Sequence, residues 1–452
     1  MNKLWTKTKH INMLEELEKF ETADDLVYDN MLTVPDIYGS AAHAKMLRAI
    51  GVLREAELKS ILSALSNILQ QFHKNTFDLV LGDEDIHTKI ENELVKLVGE
   101  AGKKIHTGRS RNDQVLVDLR ILSKEKIFEI KEQLLILIQL FANRAEKWKH
   151  IPMPGYTHMQ KAMPSSVGLW LGAYAESLTD NVRILETAFD LIDQSPLGSG
   201  AGYGVTLPID REMTAQLLGF GKVQNNSLYC QNSRGKLEST VLFALLNITT
   251  DIARFASDML LFTTAEFNFF TVSESICTGS SIMPQKRNVD IAELLRSKAH
   301  TMFGYFTQVY SISLSLPSGY NRDLQDTKKP YIESFESTSR VLAIAQMLLT
   351  NIKPNTKVLA ACMTKELYAT SLAYKYVVEK DMPFRVAYQS VAEHLEDIPN
   401  FDIQQELKKS THSGSTGNLG LKKLNIFTKQ ELKKLTKRKY IWKQTLSSLL
   451  KV

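Results

Sequence analysis

Along residues 127–148 the apolar side chains Ile127, Ile130, Leu134, Leu137, Ile138, Phe141, Ala145 and Trp148 follow the three- and four-residue spacing of one helical stripe. That spacing predicts a helix with one buried face. The stripe lies inside 109–151, 43 residues without glycine or proline; 236–278 is a second such stretch of 43, and 355–382 a third. Glycine and proline are the strongest local breakers, so each stretch reads as helix. A helix of about 40 residues runs roughly 60 Å at 1.5 Å per residue, longer than a compact domain is wide. Such helices occur in long bundles, where other helices cover their apolar faces. Residues 290–299 read as a further helix, with Ile291, Leu294, Leu295 and Lys298 spaced along it. Strand signals are confined to 79–81 and 310–316, and no internal repeat is present. The pattern is helix nearly throughout.

Composition narrows the class. The chain has 452 residues, 44% hydrophobic and 23% charged, which excludes a disordered or collagen-like chain and leaves room for two to four domains. No run of 18 apolar residues occurs, so no membrane span is expected. The first 19 residues carry Glu15, Glu16 and Glu18 and no apolar stretch, so they do not read as a signal peptide. Cys230, Cys277 and Cys362 lie far apart without metal-ligand spacing, which fits a reducing cytoplasm. The net charge of +5 is unevenly placed: residues 422–452 hold ten Lys/Arg against Glu431 alone, so the rest is slightly acidic. The basic tail reads as a solvated face of an amphipathic helix with Leu432, Leu435, Trp442, Leu446 and Leu449 on its other side. RNA or membrane contact is the alternative use of that charge.

Four polar loops separate the long helical stretches, and function tends to sit on loops held by a rigid frame. They are 106–114, 154–160, 196–204 and 278–288. In the last, Gly279 and Pro284 bracket Ser280 and Ser281, with Lys286 and Asn288 close behind. Lys286 is a point charge suited to a carboxylate and Asn288 offers amide donors, although a Ser/Gly-rich turn looks the same. A serine hydroxyl as base needs strong activation. His158, in a Gly-Tyr-Thr-His turn, is either a structural hydrogen-bonding group or a proton carrier facing a cleft. Arg109, Arg111 and Asn112 either grip an anion or cap the helix that follows, and Asp113 near its start favours capping. The 196–204 loop lacks a preceding strand and any Gly-Lys-Ser/Thr, so it is not a nucleotide loop. Glu84, Asp85 and His87 stand too close in sequence to converge as ligands on one helix face, so no metal is expected.

Taken together the loops resemble a known family. Residues 278–290 resemble the Gly-Ser-Ser-x-x-Pro-x-Lys-x-Asn signature of the fumarase/aspartase superfamily. The string 106–114, His-Thr-Gly-Arg-Ser-Arg-Asn-Asp-Gln, and 154–160, Pro-Gly-Tyr-Thr-His-Met-Gln, are similar to the motifs that set the argininosuccinate lyases apart within it. Residues 39–47, 84–88, 318–325 with Lys328, and 414–419 fit the same family, so the resemblance spans about 36–421. Two family segments are altered: only Trp5 remains of Trp-Gly-Gly-Arg-Phe, and an Asn-Ala-Ser triplet that touches substrate falls near Ala23, Asp24 and Asp25 without its serine. Val289 replaces a proline after Asn288, and Lys89, Ile90, Glu91 and Asn92 stand where Asn-Glu-Arg-Arg is usual.

The resemblance implies an all-α chain of three parts: an N-terminal helical domain 1–108, a central long-helix bundle 109–361 and a C-terminal helical domain 362–452 with the basic tail. It implies a homotetramer built around the central bundles, each site drawn from three chains. The implied reaction is elimination of argininosuccinate to arginine and fumarate in arginine biosynthesis, without metal or organic cofactor. Ser280 is implied as base, His158 as acid or its relay, and Glu293 as the carboxylate paired with that histidine. Lys286 stabilises developing negative charge. Ser110, Arg111, Asn112, Thr157, Ser281, Asn288, Tyr320, Gln325, Lys328 and His87 are implied substrate contacts. The expected partners are a small-molecule substrate and other copies of the chain, with no membrane and no nucleic acid. Fumarase, aspartase or adenylosuccinate lyase activity, or a non-catalytic crystallin-like role, are the alternatives within the superfamily.

Overall fold

A computed structural model of the chain describes Phe20 and residues 26–80 and 83–451. Trp5, Ala23, Asp24 and Asp25 lie outside the described residues. The architecture is all-α. Helices α1 (Thr33–Ala49), α2 (Glu55–His73) and α3 (Ile86–Val98) form an N-terminal layer. The long helices are α4 (Arg111–Lys147), α5 (Val167–Ile192), α6 (Lys236–Phe262), α7 (Asp290–Ser313) and α8 (Lys328–Thr350), with α9 (Leu421–Leu449) last.

The stripe read from sequence is the buried seam of α4: Ile127, Ile130, Leu134, Leu137, Ile138, Phe141, Ala145 and Trp148 are all core residues. Ser110 caps α4, and the Asp113 carboxylate closes the capping box by accepting the Ser110 N–H at 2.8 Å. This satisfies N–H groups that a helix start leaves unpaired. Helix α9 packs its apolar face into the same core. Its docking uses carboxylates of the bundle: buried Lys131 reaches Glu186 at 2.6 Å and Glu431 at 2.8 Å, and Arg438 reaches Glu186 at 2.7 Å. Lys422, Lys429, Lys433 and Lys437 stay exposed. Residues 363–407 build two small clusters of their own around Tyr368 and Ala387.

Five expectations need correction. The stretch 236–278 is not one helix: α6 stops at Phe262, and Asn268 turns the chain at φ 47° before a short strand, β3 (Phe270–Val272). Asparagine tolerates left-handed backbone, so the break needs no glycine. Likewise 355–382 is three short helices, parted near Cys362 and ended at Asp381, which has φ 53°. The segment 310–316 is the last turn of α7 and its exit, not a strand. Its alternation of Tyr310, Ile312, Leu314 and Leu316 with polar residues imitates a period of two, but Met302 and Val309 carry the helical seam through. Residues 79 and 80 form no strand. The loop 154–160 is instead the tip of an antiparallel hairpin, β1 (Pro152–Thr157) with β2 (Gln160–Ser166). Pro154 opposite Pro164 hides the strand signal, because proline donates no ladder hydrogen bond. Strand β4 (Ile352–Pro354) pairs with β3.

The bundle has two ends. Helices α6 and α7 run antiparallel, so that a Cβ on Gly235, just before α6, would lie 2.4 Å from Ser313 Cβ at the end of α7. The starts of α4, α6 and α8 share one end with the close of α7. The β1–β2 hairpin, the β3–β4 pair and loop 278–288 occupy the other.

Candidate active site

At the first end a cavity of about 160 Å³ opens between the N-terminal layer and the bundle. His87, Arg111, Asn112, Tyr320, Gln325 and Lys328 line it, six of the expected substrate contacts drawn from three distant segments. Sequence reasoning missed Asp29, Arg234 and Val115, which line it too. Ser110 stands beside them as the α4 N-cap.

The cationic walls are fixed from behind. His87 is buried, and its Nδ1 lies 3.1 Å from Asp36 Oδ1 and 3.4 Å from Asp118 Oδ2. Burial alone would lower the imidazole pKa, but the hydrogen bond and charge of Asp36, with Asp85 and Asp29 behind, hold it above its ordinary value. Burial and the neighbouring Asp36 charge push the Asp118 carboxyl well above its ordinary value. The Gln114 amide donates to Asp36 at 2.6 Å. Arg111 lies 2.7 Å from Glu84 and 3.2 Å from Asp85, and the Lys328 ammonium donates to Asp29. Asp85 also caps α3, accepting the Thr88 N–H at 2.7 Å. The 106–114 loop therefore divides its work. Ser110 and Asp113 cap, Arg109 is buried on Ser40 at 2.9 Å, and Arg111 and Asn112 face the cavity.

Asp113 has a second task that sequence did not reveal: Oδ2 accepts the Gly198 and Gly200 N–H groups at 2.8 and 2.9 Å, pinning loop 196–204. Burial raises its pKa to about 6, against the three N–H donors. A folded-state pKa above the unfolded value of 3.8 means that ionisation costs stability as pH rises through the interval. From about pH 3 to about pH 7 the native protein should lose about 3 kcal/mol relative to Asp113→Asn, about 2 kcal/mol of it between pH 4 and 6, with no further change at higher pH. Denaturant midpoints of both proteins across that range are the measurement; a constant gap would contradict the shift.

The remaining expected residues do not reach this cavity within the chain. Ser280, Ser281, Lys286 and Asn288 sit in a loop closed at its neck, where Thr278 N–H donates to Asn288 O at 3.0 Å and Asn288 N–H to Thr278 O at 2.9 Å. The loop is largely exposed, Ile282 at 82%. Ser280 Oγ accepts the N–H groups of Met283 at 3.1 Å and Ile282 at 3.4 Å, while among the described residues no hydrogen bond joins it to Lys286. Glu293 is exposed on the first turn of α7, and no ion pair joins it to His158 among the described residues. His158 and Met159 form the two-residue tip of the hairpin at φ 52° and 61°, with Thr157 paired to Gln160. Both tip residues are exposed. A turn of this kind favours Asn-Gly, and side chains there cost of order 1–3 kcal/mol, strain that marks functional positions. Helix α7 separates loop 278–288 from Tyr320 by about 36 Å, its 24 residues at 1.5 Å each. Helix α4 places the hairpin about 55 Å from Arg111, by its 37 residues.

A family model described as Lyase matches residues 18–304. Argininosuccinate lyase of Thermotoga neapolitana is 44% identical over 391 residues, 86% of this chain and 98% of that protein. Argininosuccinate lyase of Phocaeicola vulgatus is 41% identical over 418 residues, 92% of each chain. Among solved structures, an EDDS lyase in complex with formate superposes with TM-score 0.80 at 20% identity, over 98% of this chain and 94% of that one. A class II fumarase from Schistosoma mansoni gives 0.72 at 16% identity, over 87% and 93%. The solved structures show a shared fold. With these relatives matched over most of both chains, the chain belongs to the argininosuccinate lyase family of carbon–nitrogen lyases.

Proposed function

We propose that the chain catalyses the reversible elimination of argininosuccinate to arginine and fumarate, with the two ends of the bundle brought together from different copies in a homotetramer. The observation that supports this is the cavity itself. It gathers His87, Arg111, Lys328 and Asn112 where a polycarboxylate needs cations and amide donors, and leaves the base-bearing loop at the far end of a 24-residue helix. A site needing both cannot close within one chain. Apolar side chains on the bundle fit partner contact: Leu294 is 61% and Phe303 55% exposed on α7. A groove of about 450 Å³ between α7 and α8 is lined by Ile291, Leu295, Tyr305 and Ile344. Exposed patches of this kind mark interfaces.

The residues account for the chemistry. A proton must leave a carbon beside a carboxylate, giving a carbanion delocalised into a doubly charged aci-carboxylate. Ser280 is the base. The two N–H groups that reach its Oγ are placed to stabilise the alkoxide form, which takes the substrate's proton and returns to the hydroxyl. Lys286, Asn288 and loop N–H groups meet the charge developing on the carboxylate, with Thr157 and Ser281 beside them. His158, oriented by Glu293 of another copy, returns a proton to the departing guanidino nitrogen. Ser110, Arg111, Asn112, Tyr320, Gln325, Lys328 and His87 hold the substrate. The elimination changes no net oxidation state and calls for no cofactor. No helix among the described residues is long and apolar enough to cross a membrane, and we place the enzyme in the cytoplasm.

Purified protein incubated with argininosuccinate should release fumarate and arginine in equal amounts. Adenylosuccinate, malate and aspartate should give no comparable conversion. Turnover of one of those three, and none of argininosuccinate, would move the chain to another branch of the superfamily.

A further inference from the structure

One cation in the cavity has a charge that the protein leaves unanswered. Arg111 lies on Glu84 and Asp85, Lys328 on Asp29, and His87 on Asp36. Arg234 is only 4% exposed, yet its guanidinium makes no ion pair and no hydrogen bond among the described residues. Its Nε is sealed from solvent without an acceptor. Desolvating a guanidinium without a partner is expensive, and chains avoid it unless something else supplies the anion.

The turn that carries Arg234 is built to hold it there. Ser233 Oγ accepts from Arg120 at 3.1 Å and Gln224 at 3.0 Å, and donates to the Cys230 carbonyl at 2.8 Å. Gly235 follows at φ 83°, pressed against Ser313 where no side chain fits. Asn232 donates to Ser318 Oγ at 3.2 Å and accepts the Gly319 N–H at 2.8 Å. These bonds lock the turn to the loop bearing Tyr320, and the guanidinium carbon lies 5.6 Å from the Tyr320 ring centroid. One face of the guanidinium is thus braced by an aromatic ring, and its two terminal nitrogens are left for the cavity.

We propose that Arg234 is a substrate-binding residue that takes a carboxylate of the substrate through its two-pronged fork, a geometry that lysine cannot reproduce. The proposal rests on the argininosuccinate lyase reading and deepens it. Argininosuccinate carries carboxylates at its succinyl end and at its amino-acid end. Either presents the same chemistry to Arg234.

The test uses the full-length protein with Arg234→Gln and Arg234→Lys. For argininosuccinate, KM in Arg234→Gln should rise roughly 30-fold or more, the loss typical when one partner of a buried charge pair is removed. Arg234→Lys should recover only part of it. The melting temperature of Arg234→Gln should be equal to or above that of the wild type, because an uncompensated charge has been removed. Calorimetric titration with succinate and with arginine separates the two ends. Lost succinate binding assigns the succinyl carboxylate, and lost arginine binding assigns the other. Both readouts work without turnover, so an inactive wild type would sink the lyase reading and still leave Arg234 tested. A lower melting temperature with unchanged KM would reduce Arg234 to a stacking role. The proposal is overturned if KM and both affinities stay within twofold in Arg234→Gln or, should that variant fail to fold, in Arg234→Lys.

Discussion

Ser280→Ala is expected to cut kcat by about 10²–10⁴-fold, the usual weight of a positioned proton-transfer group, while argininosuccinate still binds. In the proposed mechanism the hydroxyl acts only on the proton in flight, and the carboxylates are held by Lys286, Asn288 and the cavity residues at the other end of the bundle. An interaction made only in the transition state lowers the rate and leaves ground-state affinity alone. The substitution also spares the loop: its neck is made by backbone bonds between Thr278 and Asn288, not by the serine. Calorimetric titration of the variant gives the affinity and a fumarate assay gives the rate. Turnover near the wild-type value would remove Ser280 as the base, whereas loss of binding would make it a substrate anchor.

Two inactive variants mixed as chains should recover about a quarter of wild-type activity. His158 sits on an exposed hairpin tip and Ser280 on an exposed loop, and no hydrogen bond or ion pair links them among the described residues. If each site takes its histidine and its serine from different copies, His158→Asn and Ser280→Ala chains complement each other. After unfolding and refolding in equal amounts, each group has a chance of about one half of being native, if copies assemble at random into a closed symmetric oligomer. About one site in four then holds both. Separately refolded variants, pooled afterwards, are the control and should stay inactive. Hybrid oligomers without activity would show that both groups come from one copy.

Much of this molecule was legible in the one-dimensional pattern because it depends on near neighbours. The α4 seam needs only the 3.6-residue period, and its start needs only Ser110 and Asp113 three apart. Helix ends were read less well. The sequence marks breaks by glycine and proline, but Asn268 and Asp381 turn the chain with left-handed backbone and Cys362 closes a short helix without either signal. The hairpin carrying His158 was hidden for the opposite reason, since prolines that usually argue against strands occupy non-donating positions in it.

The chemistry divides along the same line. Residue types and spacing by themselves determined the family and the reaction class, because those motifs are contiguous. Which motifs share a cavity is decided by helix length and direction, and no local pattern contains that information. Tertiary structure alone puts His87, Asn112 and Tyr320 around one space while holding Ser280 about 36 Å along α7 from Tyr320. It alone ties Asp113 to Gly198 and Gly200, and buries Arg234 without a counter-ion among the described residues, since both facts depend on side chains from distant segments removing water from the same small volume.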